Sequence, residues 1–307
     1  MHEAAFTIAV TPPFRLDLTA WALRRRKKNA IDNWDGEAYS RILVLQGTPV
    51  KITAVQGGSP KSPKLTVRLH STKQLSLEQQ TEAQVVLQKV LGLAVGVQPF
   101  QALAAKRLEL RQLAEQFIGV RPPRFPTIFE ALANAVACQQ VSLDAGISLL
   151  NRLTEAYGLE FFDGIGTAHA FPRPEDVLNA SEEGLRQLGF SRQKVRAIKE
   201  VAYAIASDDA QFGWLELASN EEALARLQAI HGIGRWSAEY VLLRGLGRLD
   251  VFPGDDIGGQ NNVQALLGLV GRPDYAQLKN LTAVWSPYAG FVYFHLLLSK
   301  LHGKGLV

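Results

Sequence analysis

Short strand-like apolar runs dominate this chain up to about residue 98 and helical patterning dominates from Pro99 onward, and that division limits the folds open to it. Before it, short runs rich in Val, Ile, Leu and Thr recur at 6–10, 41–46, 50–55 and 64–69. The last alternates strictly and puts Leu65, Val67 and Leu69 on one face, as a strand with one buried side requires. Turn-forming clusters separate the runs: Thr11-Pro12-Pro13, Asp35-Gly36, and Gln56 through Pro60. A segment following Leu75 has helical character. Residues 1–98 are therefore expected to form an α+β domain built on an antiparallel sheet. From Pro99 onward, residues 99–307 read as an all-α region, with helices at 128–140, 142–158, 174–180, 182–190, 191–206, 221–230, 234–247 and 288–301. Thr127 opens the first of these, with Glu130 where a capping box needs it.

At 307 residues, 47% hydrophobic and 20% charged, the chain can bury a full core. Its net charge of +4 permits a polyanionic partner without demanding one. A single cysteine, Cys138, excludes an intrachain disulfide and any all-cysteine metal or iron–sulfur site. The six histidines show no zinc-ligand spacing, so neither metal nor cofactor is expected. The start lacks a signal-peptide layout and no long charge-free apolar run occurs, so a soluble, cytoplasmic protein with no membrane contact is expected. The basic run Arg24-Arg25-Arg26-Lys27-Lys28 could touch phosphate; since charge runs usually face water, a solvated turn or helix face is the expectation.

The most informative stretch is 227–247. A helix is expected to end near Ile230, followed by His231-Gly232-Ile233-Gly234 and a second helix from about Arg235. Two glycines around an apolar residue allow a tight turn whose backbone can approach a partner closely. Ile233 would point inward and pin the helices, and the N–H groups opening the second helix would face outward as an anion site suited to a DNA phosphate. Such a site grips backbone and reads no sequence. An ordinary turn between two helices, with Gly as the C-cap, accounts for the same residues. Some twenty residues on, Pro253-Gly254 precedes Asp255-Asp256 and an expected new helix; Asp256 could simply cap that helix.

Taken together, these segments resemble the helix-hairpin-helix DNA glycosylase superfamily, and within it the 3-methyladenine DNA glycosylase II (AlkA-like) branch. The resemblance is carried by residues 232–240, 243–245, 250–253 and Asp255-Asp256, by Phe129-Glu130-Ala131-Leu132 leading into Cys138-Gln139-Gln140-Val141-Ser142, and by Leu188-Gly189-Phe190 with 194–198. Weaker similarity extends to Pro13-Phe14 and Leu18-Thr19, so it spans nearly the whole chain. It implies a TBP-like N-terminal sheet followed by two helical subdomains flanking an active-site cleft. It also implies a monomeric enzyme of base excision repair that flips damaged bases out of double-stranded DNA. Asp256 maps to the catalytic carboxylate, with Asp255 structural. Trp236 and Tyr240, one helical turn apart, map to an aromatic base pocket, and Leu297 to a position that can carry a pocket tryptophan. Gln140 maps to the residue inserted into the duplex, beside Gln139, and Gly232, Ile233, Gly234 and Arg235 to the DNA-gripping hairpin.

The chemistry is consistent with one carboxylate. Breaking an N-glycosidic bond builds positive charge on the sugar, which Asp256 would oppose, and Asp256 could also orient or deprotonate water. An alkylated purine already carries positive charge and leaves as a neutral base, so no second carboxyl is required. Relatives that also cut the strand use a lysine in the second hairpin helix. Trp236 stands at that position, between Arg235 and Ser237, so a monofunctional enzyme is expected. Other readings are an oxidised-base glycosylase, a non-catalytic helix-hairpin-helix DNA-binding protein, against which Asp256 argues, or a scaffold with no nucleic-acid role. Three departures from the family pattern, Ile257 after the aspartate, Ala289-Gly290 in the Trp285–Gly290 motif and Leu297, each place a smaller group and suggest a wider cleft with a broad lesion range.

Overall fold

The computed structural model describes residues 1–307 apart from 163, 165 and 208 and the side chains of 209–211. Five strands, β1 (His2–Ala9), β2 (Asn33–Trp34), β3 (Ala38–Leu45), β4 (Thr48–Ser59) and β5 (Ser62–Ser71), form an antiparallel sheet in the order β1-β5-β4-β3-β2. Leu65, Val67 and Leu69 are fully buried, as their alternation requires. Leu45 pairs with Thr48 across a tight turn in which Gln46 and Gly47 both take positive φ (48° and 76°), the mirror-image turn that matches strand twist. The turn expected over Gln56–Pro60 lies later. Ser59 pairs with Ser62, so β4 runs through Gly57 and Gly58, and the chain reverses only at Pro60-Lys61. Glycines permit pairing, whereas Pro60 pre-sets the φ of a turn.

Helices α1 (Leu16–Arg24) and α2 (Leu77–Val90) accompany the sheet, α2 closed by a reciprocal capping box between Ser76 and Gln79. The remainder is mostly helical: α3 (Gln98–Ala105), α4 (Leu108–Gln116), α5 (Ile128–Cys138), α6 (Leu143–Tyr157), α7 (Pro174–Asn179), α8 (Glu182–Gln187), α9 (Arg192–Ser207), α10 (Asp209–Trp214), α11 (Asn220–Gln228), α12 (Arg235–Arg244), α13 (Ile257–Leu267), α14 (Tyr275–Ala283) and α15 (Ala289–His302). One short hairpin, β6 (Glu160–Phe162) with β7 (Thr167–His169), interrupts them. Helix α5 is buried from Phe129 to Ala137 and packs against α6, α9 and α12, its alanines letting neighbours approach on every side. One apolar cluster joins the sheet to residues of α5–α12; the other joins Leu18, Trp21 and Ala22 of α1 to α3, α4 and α13–α15. Helix α1 is thus packed into the core that holds the C-terminal helices.

Of the basic run at the end of α1, Lys27 and Lys28 are exposed as expected, whereas Arg24 and Arg25 depart from the solvated face. Arg24 and Arg25 are buried. Arg24 donates to the carbonyls of Trp34 (2.7 Å) and Lys27 (2.6 Å). Arg25, with φ 60°, donates to Tyr240 Oη (2.7 Å) and Asn134 Oδ1 (2.6 Å). The cause is docking of α1 between the sheet and the helices, which leaves these guanidinium groups protein acceptors in place of water. Glu130 departs from expectation as well. Thr127 accepts its backbone N–H (3.1 Å), but the Glu130 carboxylate turns to Arg41, which also pairs with Asp32. A buried arginine needs that counter-charge more than a helix start needs a second cap. Burial pushes the Glu130 carboxyl up against the opposing pull of Arg41. Among the described residues, no helix is long and apolar enough to cross a membrane.

Candidate active site

The hairpin between α11 and α12 is built by its glycines. Gly232 takes φ +85°, and a Cβ there would lie 2.5 Å from Cβ of Ala197 on α9, so a side chain is excluded twice over. Ile233 is buried and anchors the turn. Gly234 is the extended N-cap of α12, with open space where a side chain would project and no side-chain cap on the helix. The first N–H groups of α12 therefore keep their capacity for an external acceptor. Gln139, after the last residue of α5, donates through Nε2 to Gly232 O (2.8 Å) and Ser237 Oγ (2.9 Å), tying the hairpin to α5. Gln140 follows at φ +54° with its side chain exposed. Arg235 donates to Asp255 Oδ2 (2.8 Å) and lies 3.6 Å over the Tyr275 ring, which holds it against the loop before α13.

That loop is held from both sides. Buried Glu239 of α12 accepts the Gly254 N–H (2.8 Å) and the Tyr275 hydroxyl (2.9 Å), and Gln260 of α13 donates to Gly254 O (2.9 Å). Asp256 comes next, half-buried, and its two oxygens are used differently. Oδ1 accepts the Gly259 N–H (2.5 Å) and caps α13. Oδ2 accepts the Trp236 indole N–H (3.2 Å) and the Tyr293 hydroxyl (3.3 Å). Burial, then the neighbouring Asp256, push the Tyr293 phenol well above its ordinary range, which keeps it a donor.

Trp236 stacks on Tyr240 with ring centroids 5.4 Å apart and planes at 27°. Trp236 remains half-exposed, whereas Tyr240 is 3% exposed and backs it from behind. Behind both lie two buried cations. Arg25 holds the Tyr240 hydroxyl, and Arg244 sits 5.7 Å from the Tyr240 ring while donating to the carbonyls of Ala22 (3.0 Å) and Leu23 (3.2 Å) near the end of α1.

The structure thus brings together Asp256, Trp236 and Tyr240, and ties Gln139 to the hairpin. Leu297 lies one turn beyond Tyr293 on α15, half-buried and on the same face. Ala289 and Gly290 do not widen a cleft as expected. Both are buried, and a Cβ on Gly290 would lie 2.5 Å from Val251 O and 2.6 Å from Leu243. Gly290 is small because the chain before α13 passes against it. Tyr293, Arg25, Glu239 and Gln260 escaped the sequence reading. Tyr293 stands four residues before Leu297, a helical repeat that could have found it; Arg25 and Glu239 had no local signal.

A hairpin that leaves helix N–H groups open, next to a carboxylate fixed beside an aromatic pair, defines a class. The sequence pattern of the HhH-GPD superfamily, described as base excision DNA repair proteins, matches residues 133–287, and the chain belongs to that superfamily. A Bacillus subtilis DNA-3-methyladenine glycosylase is 24% identical over 299 residues, 96% of this chain and 97% of its own. DNA-3-methyladenine glycosylase 2 of Escherichia coli is 29% identical over 181 residues, 58% of this chain and 60% of its own. Among solved structures, the 3-methyladenine DNA glycosylase of Archaeoglobus fulgidus superimposes with a TM-score of 0.85 at 24% identity, covering 98% of this chain and all of that one, which establishes the fold. A Schizosaccharomyces pombe 3-methyladenine DNA glycosylase bound to abasic DNA matches with a TM-score of 0.56 at 28% identity, over 65% of this chain and 95% of that one.

Proposed function

We propose that the chain is a monofunctional DNA glycosylase that flips alkylated bases, 3-methyladenine and 7-methylguanine among them, out of double-stranded DNA and excises them hydrolytically. The observation that carries this is the Asp256 carboxylate, held by Gly259, Trp236 and Tyr293 beside a half-exposed indole and linked through Arg235–Asp255 to the hairpin. The hairpin N–H groups grip a phosphate. Gln140, exposed at the turn after α5, enters the gap left by the flipped nucleotide. The base stacks on Trp236, whose electron-rich face suits a cation, with Tyr240 behind it and Leu297 along the wall. As the glycosidic bond lengthens, charge grows on the sugar and Asp256 stabilises it. The same carboxylate orients the incoming water, and the base leaves neutral.

Strand cleavage through a Schiff base requires an amine. Trp236 occupies the corresponding place, Ser237 is buried and Arg235 is engaged with Asp255. The names of the relatives and the DNA held by the S. pombe structure support the reading. The enzyme acts as a cytoplasmic monomer, with residues 1–98 as one unit and 99–307 as the glycosylase region. The test is release of free base from duplexes carrying 3-methyladenine, 7-methylguanine, 1-methyladenine, hypoxanthine, ethenoadenine or 8-oxoguanine. Release of the alkylated purines without strand scission supports the proposal. No release from any duplex, or release of 8-oxoguanine alone, overturns it.

A further inference from the structure

The turn carrying Gln140 joins two helices that are each tied to a different element. At its α5 end Gln139 holds the hairpin, and beyond its α6 end the loop after α1 runs along the first turns of α6. Arg26 donates to Asp144 (2.9 Å) and Lys28 to Ser148 Oγ (2.9 Å). The Ala30 N–H donates to Asn151 Oδ1 (3.1 Å), and Asn151 Nδ2 to Lys28 O (2.7 Å). Asp144, Ser148 and Asn151 share one face of α6, so the loop is docked at four points along it. Its inner end is fixed by Arg25, buried against Tyr240. Its outer end carries cations: Lys27 and Lys28 are exposed, and Arg26 is half-buried. Lys27 forms no ion pair among the described residues, while Arg26 and Lys28 converge on the one carboxylate of Asp144, Lys28 at 3.7 Å. Positive charge therefore exceeds negative on this loop, and the start of α6 adds its own partial positive charge.

We infer that the loop 26–28 of the N-terminal domain is a second DNA-backbone contact, placed beyond the α6 end of the Gln140 turn and taking phosphates through Lys27 and Lys28. This inference rests on the reading of the protein as a DNA-binding enzyme. Duplex entered at Gln140 presents phosphates on both sides of the turn, and the hairpin can reach only one of them. The contact is to backbone and is indifferent to sequence and to damage. Asp144 acts as a built-in competitor, because it neutralises two of the cations that a phosphate would meet.

The test is the salt dependence of binding to an undamaged duplex oligonucleotide, compared for the full-length protein, K27A/K28A and D144N. Each phosphate contact contributes about 0.9 to the slope of log affinity against log salt, so K27A/K28A is expected to bind with a slope shallower by about 1.8. Its deficit relative to the unmodified protein then shrinks about 12-fold between about 50 mM and about 200 mM salt. D144N is expected to shift the other way, binding more tightly and with a steeper slope. A loop with a purely architectural role would move neither slope. If the unmodified protein binds in a salt-dependent way and K27A/K28A keeps its slope, the second contact is refuted while the glycosylase reading stands. If the unmodified protein shows no salt-dependent binding, the DNA-binding reading fails and the inference fails with it.

Discussion

Asp256→Asn separates the cap that Asp256 places on α13 from the catalytic role proposed for it. Asn retains an oxygen for the Gly259 N–H, now capped at 2.5 Å by Oδ1, and Asn and Asp are comparable N-caps, so α13 should stay in place. On the other side, the amide nitrogen replaces the oxygen that accepts from Trp236 (3.2 Å) and Tyr293 (3.3 Å). The Tyr293 hydroxyl can rotate to accept, whereas the indole N–H loses its partner, at a cost of about 1 kcal/mol. The loss in catalysis is larger. A unit charge about 4 Å from a sugar cation, at an effective dielectric of about 20, is worth about 4 kcal/mol. That corresponds to roughly a thousandfold in rate. Single-turnover release of 7-methylguanine should fall by that factor, while affinity for the same duplex stays within about twofold. Asp256→Ala should fall as far in rate and also lose about 1 kcal/mol of stability with the cap. Release by Asp256→Asn within tenfold of the unmodified rate would show that the carboxylate only caps α13 and would refute the mechanism.

Gly234→Asp should weaken binding to damaged and undamaged duplexes alike with a shallower salt dependence, because the new carboxylate projects into the open space before α12; unchanged titrations would show that the hairpin faces away from DNA. Borohydride added during turnover should trap no covalent protein–DNA adduct, and abasic product should break only after alkali; a trapped adduct on a denaturing gel would exclude monofunctional chemistry. Leu297→Trp should slow release of ethenoadenine more than of 3-methyladenine by crowding the face that bears Tyr293; equal rates would remove Leu297 from the pocket wall. Burial lowers His295 to about 4 from 6.5, its Nδ1–H donating to Phe291 O (2.9 Å) in the neutral form. Because the folded pKa lies below the unfolded one, this stabilisation is complete above about pH 6.5 and is lost as pH falls toward 4. Loss of the His295 contribution across that window should reach roughly 3 kcal/mol in urea unfolding and be absent in His295→Leu.

Local pattern carried much of the architecture. Strict alternation in Leu65, Val67 and Leu69 marked the sheet, and the cap at Thr127 marked a helix start, because these signals act over a few residues. Within the site, the hairpin glycines and Asp256 were legible for the same reason. What escaped depends on partners far along the chain. Arg25 read as part of a charge run, yet its acceptors are 109 and 215 residues away. Glu130 fitted a cap and became the counter-ion of Arg41, 89 residues earlier. Gly290 read as a widened cleft because an absent side chain looks like open space until the backbone that fills it is known. In each case burial, decided by tertiary packing, overrode a plausible local role.

The division of labour at Asp256 bears on how such a protein can change over generations. One oxygen holds the start of α13 and the other faces the indole and the phenol, so a replacement that keeps the first contact and loses the second costs the fold little. Asparagine is such a replacement, and it lies a single base change from aspartate in the genetic code. Descent from a base-removing enzyme to a protein that merely marks distorted DNA therefore needs no compensating repairs to the fold. In lineages carrying this fold, the residue at the head of α13 is the place to look for that transition, and the hairpin would outlast it unchanged.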